Sequence, residues 1–139
     1  MSDALQNTLK IAASGLSAQS TRLRIVSENL ANAQATAKTA DADPYRRKTV
    51  SFRTEVEQGT GAAEVRVAEV GKDTSAFIEQ YDPSHPAADA RGYVKYPNVN
   101  MVVEMADMRE ANRSYEANLQ VGKQARELIS MTIDHLRST

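Results

Sequence analysis

The sequence lacks the residue types on which many sites and rigid cores depend. Its 139 residues include no cysteine, no tryptophan and only two phenylalanines. The absence of cysteine excludes disulfides, thiolate zinc sites and a cysteine nucleophile. Leu, Ile, Val and Phe together number 26, about 19% of the chain, which is a small supply for a hydrophobic core. We therefore expect partners to provide much of the stability of the protein.

An excess of charge and a long apolar run are also lacking. The 17 basic and 18 acidic residues give a net charge of −1, so electrostatics gives no reason to expect a nucleic acid or an anionic membrane as a partner. The first residues show neither a basic n-region nor an apolar h-region, and they predict no conventional secretory signal. No apolar run approaches the roughly 20 residues of a membrane span.

Proline divides the sequence into three parts. All four prolines lie between residues 44 and 97, and proline disfavours helix interiors. The ends of the chain therefore predict long helices within residues 1–40 and 98–139, with a small β-rich region at 41–97. Four segments of the middle region show the alternation that is typical of strands, at residues 48–56, 64–70, 75–81 and 92–96. The predicted fold class is mainly α with a small β insertion.

Apolar residues repeat every seven positions in the predicted N-terminal helix. This spacing places them in two adjacent rows along one helix face and predicts a coiled-coil seam. Alanines occur in one of the rows and permit a close approach of a second helix. The large members of the two rows are Leu5, Leu9, Leu16, Leu23, Val26 and Leu30.

A second seam is predicted in the C-terminal helix, which we expect to begin after a cap at Asn98 or Asn100. Asn112 and Arg126 interrupt this seam. Gly122 also lies in it, and indicates either a close crossing with another backbone or simple tolerance of glycine. The apolar and aromatic positions are Met101, Met105, Met108, Tyr115, Leu119, Ile129, Ile133 and Leu136. We expect the two seams to pack as a coiled coil and to form an assembly interface.

The segment YDPSHPAADARGYVKYPNVN, residues 81–100, carries most of the residues that suggest chemistry. His85 lies between Asp82 and Asp89, which is one arrangement for a general base or a metal ligand. A turn is the simpler interpretation, because Pro86 favours an extended His85 and Asp-Pro pairs begin turns. A metal site normally takes three or more protein ligands, and the other histidine, His135, belongs to the C-terminal helix. We interpret His85 as structural.

Other motifs of catalysis or ligand binding do not occur. The sequence has no nucleophile elbow, no Walker A loop and no dinucleotide-binding glycine motif. The basic run Arg46-Arg47-Lys48 precedes a predicted strand, where such charges usually form a solvated edge that discourages edge pairing. The sequence thus predicts no catalytic, cofactor-binding or metal site.

Three motifs resemble one known family. SENLANAQAT (27–36) resembles the N-terminal signature of the flagellar axial proteins, which are the rod, hook and filament subunits. MVVEMADMREANRSYEANLQV (101–121) is similar to their C-terminal helix. The segment at 81–100 narrows the resemblance to the proximal-rod, FlgC-type members, and the match spans essentially the whole chain. The residues that carry it are Asn29, Leu30, Asn32, Tyr81, Asp82, Pro83, His85, Pro86, Gly92, Tyr93, Tyr96, Pro97, Asn98, Asn100, Tyr115, Glu116 and Asn118.

The resemblance implies a structural subunit of the bacterial flagellar basal-body rod, and not an enzyme. Members of the family pack their terminal helices as a coiled coil and assemble helically into a hollow tube. The implied partners are copies of this chain and other rod proteins, and the implied tasks are to transmit motor torque and to wall the export channel. The implied location is the rod that crosses the periplasm, reached through the flagellar type III export apparatus, with no cofactor and no membrane span.

Two other classes of function are compatible with the residues alone. A soluble coiled-coil adaptor would use the same seams in a discrete complex, whereas a rod subunit forms an open helical polymer. A hydrolase would use His85 with Asp82 and Asp89. A His85→Ala substitution would then remove activity and leave assembly intact.

Overall fold

The computed structural model describes residues 2–139. Two long helices stand at the ends of this part of the chain, α1 (Ser2–Ala31) and α2 (Met101–Ser138). Four strands lie between them in sequence, β1 (Lys48–Val56), β2 (Ala63–Lys72), β3 (Ile78–Tyr81) and β4 (Tyr93–Tyr96). The predicted fold class, mainly helical with a small antiparallel β insertion, is confirmed.

The beginning of α2 is fixed by a side-chain cap. The Oδ1 atom of Asn100 accepts hydrogen bonds from the backbone N–H groups of Val102 at 3.1 Å and Val103 at 3.3 Å. These two N–H groups have no acceptor inside the helix, so the cap satisfies donors that would otherwise lack a hydrogen bond. Of the two caps that the sequence allows, Asn100 is the one used.

The strands form two separate two-stranded sheets, β1 with β2 and β3 with β4. In the second sheet the strands are antiparallel, with Ile78 opposite Tyr96 and Tyr81 opposite Tyr93. The turn between β1 and β2 contains Gly59 and Gly61, and both have positive φ. A two-stranded sheet is marginal in water by itself, so each sheet depends on further contacts.

The chain packs as two compact units. The first unit takes the chain up to Leu23, Ser51–Glu69 and the part from Glu110 onward, and the second takes Arg24–Val50 and Val70–Arg109. Each unit therefore contains part of both helices and part of the β region. These units group residues by packing, whereas the division at residues 40 and 97 follows the order of the chain, so the two descriptions concern different properties.

In the first unit, α1 contacts α2 through small residues. Ala12 and Gly15 are buried on α1, and Ala111 and Ala125 are buried on α2. Farther along the two helices, the Nη2 atom of Arg22 lies 3.6 Å from an oxygen of Glu110. The close approach predicted from the alanine row is present.

The paired strands of the first unit contact α1 as well. Ser14 Oγ accepts a hydrogen bond of 3.1 Å from the backbone N–H of Val65, and Lys10 lies 3.2 Å from a carboxylate oxygen of Glu57. The side chain of Asn7 donates to the backbone oxygen of Thr60 at 3.4 Å. Within this unit α1 thus has neighbours in both α2 and the β1–β2 sheet.

The packed side of α2 differs in part from the sequence prediction. One of its two rows consists of the half-buried Met108, Tyr115, Gly122 and Ile129, as expected. In the first unit the other row lies one residue earlier than predicted, at Ala111, Asn118, Ala125 and Thr132. The predicted row is the more apolar one. The row with small side chains packs against α1 in place of the predicted row, because small side chains allow a closer contact between the helices.

Candidate assembly site

Asn29, in the SENLAN motif, joins the end of α1 to the start of β1. Its side chain is 1% exposed. Its Nδ2 donates to the backbone oxygen of Lys48 at 2.9 Å, and its Oδ1 accepts from the backbone N–H of the same residue at 2.9 Å. The hydroxyl of Tyr45 donates to the same Oδ1 at 2.7 Å. The carboxamide thus takes the place of a neighbouring strand, since it pairs with both polar groups of one residue.

Asn98, in the YPNVN motif, binds Arg47, the residue just before β1. Its Oδ1 accepts from the backbone N–H of Arg47 at 2.8 Å, and its Nδ2 donates to the backbone oxygens of Asp73 at 3.0 Å and Ser75 at 3.2 Å. The backbone oxygen of Arg47 accepts from the N–H of Asp73 at 2.8 Å. Two motif asparagines therefore satisfy consecutive residues where β1 begins.

A buried ion pair links this segment to α2. The Nε of Arg47 donates to Oε1 of Glu104, whose side chain is 1% exposed, and Asp73 lies 3.4 Å from the same guanidinium. Burial alone would lower the pKa of Arg47, but the hydrogen bond and charge of Glu104 outweigh burial and raise it. The second oxygen of Glu104 has no hydrogen-bond partner. Loss of the arginine would therefore leave a buried charge without compensation.

The solvated edge predicted for Arg46-Arg47-Lys48 is wrong. Arg46 donates to the backbone oxygens of Asp73 at 2.7 Å and Ser75 at 2.9 Å, and Lys48 lies 2.8 Å from Glu28. All three cations therefore have partners. A short basic run does not reveal such partners, because they come from distant positions in the sequence.

The turn before β4 requires glycine for two reasons. Gly92 has φ of 85°, in the left-handed region that residues with a Cβ rarely adopt. A Cβ added there would lie 2.7 Å from the ring of Tyr81 and 3.2 Å from Pro83. The Tyr81 and Tyr93 rings meet edge to face with centroids 5.4 Å apart. The turn that the sequence predicts is present, and the ring of Tyr93 packs against it.

The two aspartates near His85 serve the turn. Asp89 Oδ1 accepts from the backbone N–H groups of Arg91 at 2.9 Å and Tyr93 at 3.0 Å. The bond from Tyr93 is the largest influence that lowers the pKa of Asp89. Asp82 accepts from the hydroxyl of Ser84 at 2.9 Å. Both carboxylates are thus bound to neighbouring residues of the turn.

His85 is also held by local contacts. Its Nδ1 accepts from the backbone N–H of Ala87 at 3.0 Å, and its Nε2 lies 3.4 Å from the hydroxyl oxygen of Thr36. The Tyr96 ring lies 6.4 Å away between centroids. Within residues 2–139, no cluster of three or more histidines and carboxylates is arranged to hold a metal ion.

The remaining motif residues occupy ordinary structural positions. Pro97 is fully buried ahead of α2, whereas Pro83 and Pro86 are exposed in the turn. Asn32 donates through its side chain to the backbone oxygen of Glu28 at 2.8 Å, where α1 ends. Glu116 is exposed on α2. The motif therefore mixes residues that hold the fold together with residues that face solvent.

In the first unit, exposed apolar side chains of α2 lie in rows on both sides of its packed seam. We call them the flank rows. The first flank row contains two residues of the predicted interface, Leu119 and Ile133. The second flank row, which sequence analysis missed, contains Val121 and Leu128. Met131 and Leu136 are also exposed near the end of the helix. In the second unit, the start of α2 exposes two further residues of the predicted interface, Met101 and Met105, and also Val102 and Val103. Their number marks α2 as a candidate docking surface.

The predicted interface residues of α1 are placed differently. Val26 is 2% exposed, so it packs in the core of the chain and offers no surface to a partner. Leu5, Leu9, Leu16, Leu23 and Leu30 are all half-buried. In the described part of the chain no helix is long and apolar enough to cross a membrane.

These features define a structural protein, because its motif residues join backbone segments and its longest helix leaves apolar rows exposed. Comparison with known families agrees. Residues 9–37 match the family model "Flagella basal body rod protein", and residues 90–134 match "Flagellar basal body rod FlgEFG protein C-terminal".

Three relatives named flagellar basal-body rod protein FlgC narrow the assignment. The one from Agrobacterium fabrum is 58% identical over 137 residues, covering 99% of each chain. The one from Salmonella typhimurium is 41% identical, covering 94% of this chain and 96% of the relative. The one from Bacillus subtilis is 41% identical, covering 81% and 85%. The chain belongs to the FlgC family of flagellar basal-body rod proteins and is a structural subunit of that rod.

Proposed function

We propose that the chain assembles helically in the proximal part of the rod, with copies of itself and with other rod proteins, through the apolar rows of its terminal helices. The assembled subunits transmit motor torque and form part of the wall of the export channel. The chain reaches the rod across the periplasm through the flagellar type III export apparatus. It has no catalytic task, which fits a turn in which Asp82 and Asp89 are bound to neighbouring backbone and side-chain groups.

The observation that carries this proposal is the exposure of the flank rows. Ile133 is 46% exposed and Leu119 is 37% exposed, and other members of the rows lie at intervals along α2. Apolar area in water costs free energy in proportion to its size. A subunit that buries these rows against its neighbours recovers that free energy, which supports an extended interface along α2.

The half-buried leucines of α1 complete the proposed interface. Leu9 and Leu16 line a cavity of about 190 Å³ in the first unit, together with Leu119 and Gly122 of α2. The cavity is mostly apolar, so it offers a position for an apolar side chain of a neighbouring subunit. Val26 is left out of the proposed interface because it is buried in the chain itself.

An Ile133→Asp substitution tests the interface. The side chain is exposed in the single chain, so we expect the free energy of unfolding of the monomer to change by less than about 1 kcal/mol. In the rod the same charge would be buried without a partner, at a cost of several kcal/mol. We expect normal levels of folded subunit and no motility, measured by swimming assays together with electron microscopy of isolated basal bodies.

The matched control is Gln120→Asp, which adds the same charge on α2 between the charged residues Glu116 and Lys123. We expect cells with this variant to swim. Intact rods with Ile133→Asp would contradict the proposed interface. In the same electron microscopy the subunit can be labelled. A labelled subunit that is absent from the rod and found in a discrete soluble complex of fixed size would instead favour a coiled-coil adaptor.

A further inference from the structure

In the first unit, α2 presents the less apolar of its available faces to α1. The packed seam there includes Ala111, Asn118 and Ala125, whereas Leu119 and Ile133 lie in a flank row outside it. Hydrophobic burial alone favours the opposite choice, because leucine and isoleucine remove more apolar area from water than alanine and asparagine. Some feature other than apolarity must therefore select the face.

The contact between Gly15 and Asn118 has the required specificity. Gly15 is buried in α1. A Cβ added to Gly15 would lie 2.7 Å from each of the atoms Cγ, Oδ1 and Nδ2 of Asn118. Equal distances to the three atoms mean that the carboxamide lies flat over the glycine. Asn118 thus occupies the space that a side chain at position 15 would fill.

Other contacts of Asn118 hold the carboxamide in this place. Its Nδ2 donates to the backbone oxygen of Ser114 at 2.9 Å, one turn earlier in α2. The side chain therefore cannot move aside without losing a hydrogen bond. A Cβ added to Gly122, by contrast, would only make an ordinary contact of 3.8 Å with Ala12. Of the two helical glycines, Gly15 is the one that the contact between the helices requires.

We infer that the fit of Asn118 over Gly15 determines which face of α2 packs against α1. A seam rotated by one residue would place Leu119 near this position, and it would turn Ala111 and Ala125 toward solvent. The glycine leaves room for the flat amide at the observed rotation, so the flank rows remain outside. This selection is a property of the single chain and does not depend on the proposed assembly.

Cross-linking in the free subunit tests the inference, because the chain has no cysteine of its own. A Cβ at position 122 would lie 3.8 Å from the Cβ of Ala12, within the roughly 3.5–4.5 Å span of disulfides. The pair Ala12→Cys and Gly122→Cys should therefore form a disulfide quickly at the observed rotation of α2. We take the rate of its formation under mild oxidation as the measure of that rotation.

We expect Gly15→Ala to slow this cross-link about tenfold, which corresponds to the low end of overpacking costs. Alanine is the better helix former, so a slower cross-link cannot come from helix propensity. Adding Asn118→Ala to Gly15→Ala removes the clash and should restore the rate to within about twofold of the parent, provided that steric fit is the cause.

A second reporter separates face selection from a local clash. In a chain whose only cysteine is Leu119→Cys, the thiol should react rapidly with an alkylating reagent, because Leu119 is exposed. Gly15→Ala should slow this alkylation several-fold as the flank row turns inward. The inference is overturned if Gly15→Ala leaves either rate unchanged, or if Asn118→Ala fails to restore the cross-link.

Discussion

The two helices of this rod subunit use their apolar residues in opposite ways. The large apolar residues of α1 are buried or half-buried except for Ile11, whereas α2 leaves residues of both flank rows exposed. In the first unit α1 contacts both α2 and the β1–β2 sheet, and this leaves it less free surface. Similar heptad patterns can therefore have different outcomes: in α1 most of the apolar residues pack within the chain, whereas in α2 many stay exposed and form the surface that we propose for contacts between chains.

The same substitution on each helix should separate these two purposes most strongly. Val26→Asp places a charge at a fully buried position of α1, and we expect a loss of at least about 4 kcal/mol in the free energy of unfolding. Val121→Asp changes the same residue type at a position of α2 that is 45% exposed, and should cost less than about 1 kcal/mol. Urea denaturation of the two purified subunits measures both. Equal losses would mean that this side of α2 contributes as much to the stability of the monomer as the core of α1.

The next largest effect concerns the ion pair that attaches α2 to the start of β1. Arg47→Met leaves Glu104 charged and buried without a partner, which should lower the free energy of unfolding by about 3–5 kcal/mol. Replacing both residues with methionine removes the buried charge and should recover most of that loss. Urea denaturation of single and double variants gives the values. A double variant as unstable as Arg47→Met would show that the pair has a role beyond mutual compensation of charge.

The turn that leads toward α2 should distinguish geometry from chemistry. Gly92→Val introduces a β-branched residue at positive φ and a clash with the Tyr81 ring, so we expect a loss of about 2–3 kcal/mol. His85→Gln keeps a hydrogen-bonding group but removes the imidazole ring, and should leave motility nearly normal. The two variants are compared by thermal denaturation and by swimming assays in which the subunit levels are also measured. A severe defect of His85→Gln beside a harmless Gly92→Val would reopen a chemical role for this turn.

The chain should tolerate replacement of Gly122 on α2 but not replacement of Gly15 on α1. Gly122→Ala adds a methyl group in ordinary contact with Ala12 and improves helix propensity, so the free energy of unfolding should rise by up to about 1 kcal/mol. Gly15→Ala should lower it despite the same gain in propensity. Thermal denaturation of both variants is the measurement. Stabilisation by both substitutions would remove the distinction between the two helices at their contact.

The smallest effect is the pH dependence contributed by Asp89. Backbone hydrogen bonds from Tyr93 and Arg91 lower the pKa of Asp89 in the folded chain. Its contribution to stability is therefore complete above the unfolded pKa of about 3.9, and is lost as the pH falls through the lower folded value. Asp89→Asn should be less stable than the parent at pH 7 and should approach it as the pH falls below the lowered folded pKa of Asp89. A difference that stays constant with pH would assign the effect to shape alone.

The elements of the fold could be predicted from the sequence because their signals are local. The bounds of β1 agree with the prediction, and the cap at Asn100 belongs to the two candidates named. The rows of α2 could be predicted only in part, because the choice between the seam with Asn118 and the row with Leu119 depends on Gly15, which is distant in the chain. The pairing of Arg47 with Glu104 was not predictable for the same reason. Apolar periodicity records what a helix can bury, not which neighbour it meets.

The carboxamide of Asn29 has a consequence for how this subunit tolerates mutation. It gives one hydrogen bond to Lys48 and receives another, so it needs a donor and an acceptor on the same small group. Aspartate matches it in shape but lacks the donor, and its oxygen would face the carbonyl oxygen of Lys48. Asn29→Asp, which conserves size and burial, would therefore remove one of the two hydrogen bonds between Asn29 and Lys48 and bring two oxygen atoms together.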